Sequence, residues 1–243
     1  MAYLPAFSYK PQLISRYILF HSFIRPSSIQ IFIMLIVMRR LDKLCLAIRD
    51  ERELKRVAEE QKEQLWREET ISTEPIFTGK MISLQVDTVT LPGGRTATRE
   101  IVKHPGAAAV IALVEGKLLV VEQFRKPLEK FQIEIPAGRI DPGEEPLAAA
   151  ARELEEETGY RSSRLQLLSA FYTSPGFADE KLFVYFTDEV EIGQQNPDED
   201  EDLKVEAITL EQAEAYMQEG RISDAKTILA IYAWKIYTLT GRL

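Results

Sequence analysis

Cysteine occurs once in the 243 residues, at Cys45, and histidine twice, at His21 and His104. An intramolecular disulfide and a cysteine-built zinc site are therefore excluded, and a reducing compartment, the cytoplasm, is the expected setting. Two histidines are too few for a histidine-rich metal site, and no Ser-His-Asp arrangement has support; His104 reads as a strand-end or loop residue. Acids are missing altogether from positions 1–40, which hold Lys10, Arg16, Arg25, Arg39 and Arg40, so that of the net −8 the rest of the chain carries −13. That balance speaks against a general nucleic-acid surface. A long apolar run is lacking as well. Ile31 to Met38 is wholly apolar but only eight residues long, and extending it backward meets Arg25. A bilayer span needs about 20, so no membrane crossing is expected.

The basic, apolar leader 1–40 is a poor secretory signal, because Arg39-Arg40 follows where a small-residue cleavage site is wanted. A transit peptide, a weak membrane-surface anchor, or sequence upstream of a true start at Met34 or Met38 are the three readings. The last is favoured, because the segment matches nothing in the downstream domain. Leu41 to about Glu69 reads as a charged helix with a thin apolar stripe (Leu41, Leu44, Ile48, Leu54, Val57, Leu65), a solvated helix in preference to a partner-facing one.

Beyond Glu69 the texture is β-type. Ile76–Thr90 and Thr96–Val102 flank the turn Leu91-Pro92-Gly93-Gly94 and predict a hairpin over 76–102. Ala107–Val114 and Lys117–Gln123 flank Glu115-Gly116 and predict a second. Further strands are expected at Phe131–Ile135, Leu165–Thr173, Lys181–Thr187 and Leu203–Leu210, with helices from Glu211 to about Gln218 and Ser223 to about Thr238. This mixed order predicts an α+β domain over 71–243.

The densest chemistry lies in Gly138-Arg139-Ile140-Asp141-Pro142-Gly143-Glu144 followed by Arg152-Glu153-Leu154-Glu155-Glu156-Glu157-Thr158-Gly159-Tyr160. Pro146 to Thr158 predicts a helix: proline suits a first turn, Ala148 to Ala151 are strong helix formers, and Gly159 is a natural stop. Glu153, Glu156 and Glu157 share one face at i, i+3 and i+4, near the helix end where the macrodipole also disfavours negative charge. A hard divalent cation turns that repulsion into coordination, and Mg²⁺ bound through few carboxylates usually shares its site with phosphates. The plain alternative is a solvated acidic face with Arg152 pairing Glu156. The fixed spacing of Gly138, Glu144, Arg152 and Gly159 weighs against it.

This stretch resembles the signature box of the Nudix hydrolases, with Tyr160 where an aliphatic residue is more usual. The resemblance implies a Nudix-type α/β/α sandwich with a mixed sheet, here preceded by an N-terminal helical and β extension. Several flanking segments resemble the ADP-ribose pyrophosphatase branch. They are Val121-Glu122-Gln123-Phe124-Arg125-Lys126-Pro127, Glu134-Ile135-Pro136-Ala137-Gly138, Ser174-Pro175-Gly176 and Asp224-Ala225-Lys226-Thr227-Ile228. Pro175 falls fifteen residues beyond Tyr160, where that branch carries its marker proline.

The resemblance implies Mg²⁺, with Mn²⁺ as a substitute, held by Glu153, Glu157 and the Ala137 carbonyl. Glu156 serves as ligand or orienting group, and Arg152 stands among the catalytic residues. Arg99 and Arg125 would clamp the diphosphate or terminal ribose, since a guanidinium fork makes paired bonds to phosphate oxygens; Arg125 taken alone reads equally well as a surface ion pair. Pro175, Gly176 and Glu180 would border the substrate. The run Asn196-Pro197-Asp198-Glu199-Asp200-Glu201-Asp202 reads on composition alone as a solvated charge run. In the branch, a Glu-x-Glu-Asp segment sits here, which by one register makes Glu199 the general base and Glu201 a further metal ligand.

The expected activity is hydrolysis of ADP-ribose to AMP and ribose 5-phosphate, by a homodimer with a small nucleotide as substrate. The alternatives are a broader nucleoside diphosphate-sugar pyrophosphatase, a non-hydrolytic ADP-ribose sensor, and an interaction protein built on the 41–69 helix. The intact carboxylates Glu144, Glu153, Glu156 and Glu157 disfavour the sensor, and the last alternative explains none of the box.

Overall fold

A computed structural model describes residues 51, 53–59, 62, 65–197 and 202–243. The chain divides into two units, Met1–Arg67 and Glu68–Leu243. In the first, residues 53–59 are helical and exposed. The leader 1–40 and the first part of the expected helix, 41–50, lie outside the described residues. No described helix is long and apolar enough to cross a membrane.

The expected helix does not reach Glu69. Strand β1 (Glu69–Thr78) begins there, because Thr70, Ile71 and Thr73 are β-branched and lose less side-chain freedom in a strand than in a helix. The single strand expected over Ile76–Thr90 is likewise two. Gly79 turns the chain, its N–H donating to the Ile82 carbonyl at 2.9 Å, and β2 (Ser83–Thr90) runs back antiparallel from there. A side chain at Gly79 would meet the Phe77 ring at 2.7 Å. With β3 (Thr96–Lys103) the expected hairpin is therefore a three-stranded sheet, β1-β2-β3.

The second sheet is built on β4 (Ala107–Val114), β5 (Lys117–Arg125), β6 (Lys130–Glu134), β7 (Ala137–Arg139), β9 (Gln166–Tyr172), β10 (Lys181–Thr187) and β12 (Lys204–Ile208). Its order is β12-β5-β4-β10-β9, with β6 on β5 and β7 on β4. The β4–β10 pair is parallel and the others antiparallel, so the sheet is mixed. Two-residue strands β8 (Tyr160–Arg161) and β11 (Glu191–Ile192) pair separately.

β4 decides the layering. Ala109, Ile111 and Leu113 face a core with Ala213, Ala230, Ile231 and Trp234 of helices α2 (Leu210–Gln218) and α3 (Ala225–Thr240). Ala108, Val110 and Ala112 face a second core with Ala149, Ala150 and Leu154 of α1 (Pro146–Thr158). Alternation on one strand thus buries both sheet faces, giving the α/β/α sandwich. α1 starts with proline in its first turn and ends on Gly159 at φ 73°, whose N–H donates to the Glu155 carbonyl at 2.8 Å.

Candidate active site

The short strand β7 and the helix α1 lock together through three consecutive residues. The Ala137 N–H donates to Glu157 Oε2 at 2.9 Å. Arg152 donates through Nη2 to the Arg139 carbonyl at 3.0 Å. Between them Gly138 lies directly under Glu153: a Cβ there would fall inside the Glu153 carboxylate. A backbone without a side chain is what lets this carboxylate sit so close. Glu157 is 1% exposed, on the buried side of α1, while Glu153 and Glu156 face a cavity.

Arg152 organises the acids. Its Nε and Nη2 donate to Glu144 at 3.0 Å each, and its Nη1 donates to Glu153 at 2.7 Å and Glu156 at 2.9 Å. Hydrogen bonding from Arg152 holds the Glu144 carboxyl below its ordinary range, and Glu144 first, then Glu156 and Glu153, raise the guanidinium's pKa in return. One cation thus keeps like charges together on one helix turn.

A second charged cluster stands in the wall of the same cavity. Glu134, at the end of β6, has a side chain only 4% exposed. It accepts from Arg125 Nε at 2.7 Å and Nη2 at 2.9 Å, and from Lys226 Nζ. Burial alone would raise its pKa; the Arg125 hydrogen bonds and the Lys226 charge overcome that and bring it down to about 2. Asp224, the N-cap of α3, accepts from Lys226 at 3.0 Å and from the Thr227 N–H at 3.1 Å. Thr227 Oγ1 in turn accepts from the buried Ile135 N–H at 3.0 Å, tying α3 to β6.

The cavity measures about 650 Å³, within the range that small-molecule sites occupy. The structure brings Ala137, Arg152, Glu153, Glu156, Arg125 and Glu180 to its lining, with Glu157 buried beneath. It does not bring Arg99, Pro175 or Gly176 there, though Ser174 lines it. Arg99 lies on β3 and pairs with Glu68. Glu199 and Glu201 lie outside the described residues. Lining residues with no site role from the sequence alone include His104, Asp224 and Lys226. The segment Asp224 to Ile228 is visible as a motif, but only the fold sets Lys226 beside Glu134, which is 92 residues away in the chain.

Among the described residues no three His, Cys, Asp or Glu side chains converge as a ready-made metal cage. The donors nonetheless fit a divalent cation. They are hard carboxylate oxygens, one of them seated on a cradle that a Cβ would fill. Mg²⁺ characteristically takes one or two carboxylates and completes its shell with water and substrate phosphate.

Residues 102–230 match the NUDIX domain family. The chain is 52% identical over 167 residues to an ADP-ribose pyrophosphatase of Bacillus subtilis (strain 168), covering 68% of this chain and 90% of the relative. It is 50% identical over 171 residues to a methanol dehydrogenase activator of Bacillus methanolicus, covering 69% and 92%. A crystal structure described as an ADP compounds hydrolase shares the fold with a TM-score of 0.64 at 18% identity, over 73% of this chain and 97% of that one.

Proposed function

This chain belongs to the Nudix family and is a pyrophosphohydrolase, and from that premise we propose that it hydrolyses the diphosphate linkage of ADP-ribose, with Mg²⁺, to AMP and ribose 5-phosphate. One observation carries the proposal: in a single cavity the carboxylates Glu153 and Glu156 share the lining with the cations Arg125 and Lys226. A diphosphate that arrives with a divalent cation needs both polarities at once. The name of the Bacillus subtilis relative supports ADP-ribose as the substrate.

Two or three cations, held among Glu153, Glu157, the Ala137 carbonyl and Glu201, would supply Lewis-acid withdrawal of charge from phosphorus. The chain's own residues do the rest. Arg125 and Lys226, held side by side by Glu134, meet the diphosphate oxygens. Arg152 fixes Glu153 and Glu156 in place, so that little reorganisation accompanies binding. Glu199 takes the proton of the attacking water. The water oxygen bonds to one phosphorus, the bridging P–O bond breaks, and its electron pair leaves with the other phosphate. A homodimer is part of what we propose; its support is the exposed strand β1, which presents Ile71, Ile76 and Phe77 to solvent.

The test is Mg²⁺-dependent turnover of ADP-ribose, ADP-glucose, GDP-mannose, NADH, diadenosine polyphosphates and dATP, with products resolved by chromatography and Glu157→Gln as control. The expected result is AMP plus ribose 5-phosphate, with ADP-ribose preferred at least about tenfold in kcat/KM, which is about 1.4 kcal/mol of transition-state discrimination. Preference for another sugar diphosphate would retain the hydrolase and remove the ADP-ribose assignment. Tight ADP-ribose binding with no turnover would point to the sensor.

A further inference from the structure

The corner between β3 and β4, His104-Pro105-Gly106, projects an imidazole into the cavity wall. Gly106 turns the chain at φ 93°, and its N–H donates to His104 Nδ1 at 3.0 Å. A backbone N–H can only donate, so Nδ1 is the acceptor and the ring proton sits on Nε2. The loop that carries Glu180 is laced to the same corner. The Val102 N–H donates to the Phe177 carbonyl at 2.8 Å, the Asp179 N–H to the Val102 carbonyl at 3.1 Å, and the His104 N–H to Asp179 Oδ1 at 2.8 Å. Lys103 pairs with Asp179 as well. His104 and Glu180 are therefore held at a set separation by backbone contacts on both sides.

That separation is 3.9 Å between Nε2 and Glu180 Oε1, too long for a hydrogen bond between them. Glu180 Oε2 is taken by the Thr173 hydroxyl. The cavity thus meets a fixed N–H donor and a fixed carboxylate acceptor side by side, and neither satisfies the other. A group that accepts and donates at one atom fits between them, and a hydroxyl does so. A phosphate oxygen does not, since it brings no proton and shares the charge of Glu180. Resting on the assignment of this cavity to a sugar diphosphate, we propose that His104, with Glu180, reads a ribose hydroxyl of the substrate. His104 is then a specificity-determining residue outside the box and outside the cationic cluster.

The experiment compares wild type, His104→Ala and His104→Gln on three substrates: ADP-ribose, its analogue deoxygenated on the adenosine ribose, and its analogue deoxygenated on the terminal ribose. The expected loss in kcat/KM for His104→Ala on ADP-ribose is about 10- to 100-fold, mostly in KM, as for a site that loses its partner for a substrate hydroxyl. On the analogue lacking the recognised hydroxyl, variant and wild type should agree within about twofold, because the interaction is already gone. Which analogue closes the gap identifies the ribose. His104→Gln, which keeps a donor, should recover most of the loss. An equal penalty on all three substrates would make the residue structural and overturn the proposal. Failure of wild type to hydrolyse ADP-ribose is a separate outcome that removes the substrate assignment; the same comparison is then made on the sugar diphosphate that wild type does cleave.

Discussion

Replacing Glu134 with glutamine should destabilise the protein in a way that depends on pH. The side chain is 4% exposed, and its two oxygens hold Arg125 through paired bonds of 2.7 and 2.9 Å and hold Lys226 as well. Burial opposes the charge, but the two cations prevail and bring the carboxyl from 4.5 to about 2. At about 1.4 kcal/mol per pH unit, that fall corresponds to on the order of 3 kcal/mol of folding stability. Glutamine preserves shape and one acceptor but leaves Arg125 without its counter-charge and Lys226 with Asp224 alone. Arg125 is part-exposed and relaxes into solvent, so the cost lies toward the lower end of the roughly 3–5 kcal/mol seen when one member of a buried pair is removed. For a unit of this size the melting temperature should fall by about 6–12 °C at neutral pH. A carboxylate with a depressed folded pKa contributes fully above its unfolded value. The gap between wild type and variant should therefore be constant above about pH 4.5 and close as pH falls toward about 2. Urea denaturation at neutral pH and at several acid points measures it. A difference under about 1 kcal/mol at neutral pH, or one that does not narrow in acid, would refute the assignment of Glu134 as the anchor of both cations.

Gly138→Ala should keep the fold and push Glu153 off its seat; a misplacement of this kind costs about 100-fold in kcat/KM, and a raised Mg²⁺ requirement in the same assay would locate the damage. Thr227→Val removes the acceptor of the buried Ile135 N–H while preserving volume, and should cost about 1–3 kcal/mol in denaturation, whereas an unchanged midpoint would mean the N–H finds another partner. Glu144→Gln loosens Arg152 and should lower kcat by about tenfold with little change in melting temperature, since it acts through the orientation of Glu153 and Glu156. A loss of stability with full activity would contradict that role.

The helix α1 and its acids are legible in the sequence because local signals agree there: proline in the first turn, an alanine run, glycine at the stop, and carboxylates at helical spacing. The strands β4 and β5 are legible from apolar runs divided by Glu115-Gly116. The break at Gly79 is not, because one glycine in a run of strand formers gives little sign of a turn. Lys226 and Glu134 come from segments about ninety residues apart and meet only when α3 packs across β6. His104 reads as a loop residue, and so it is; its place in the cavity depends on where β10 and the loop before it lie, which no local pattern records.

Because successive residues of β4 face opposite layers, the two halves of the cavity can be adjusted separately. Ala108 supports the layer of α1, which carries the carboxylates, and Ala109 supports the layer of α3, whose first turn carries Lys226. An added methyl group at one position presses on the anionic wall, and at the next on the cationic wall. Variation along this single buried strand offers a route by which descendants of one scaffold shift cation demand without touching the grip on the diphosphate, or the reverse.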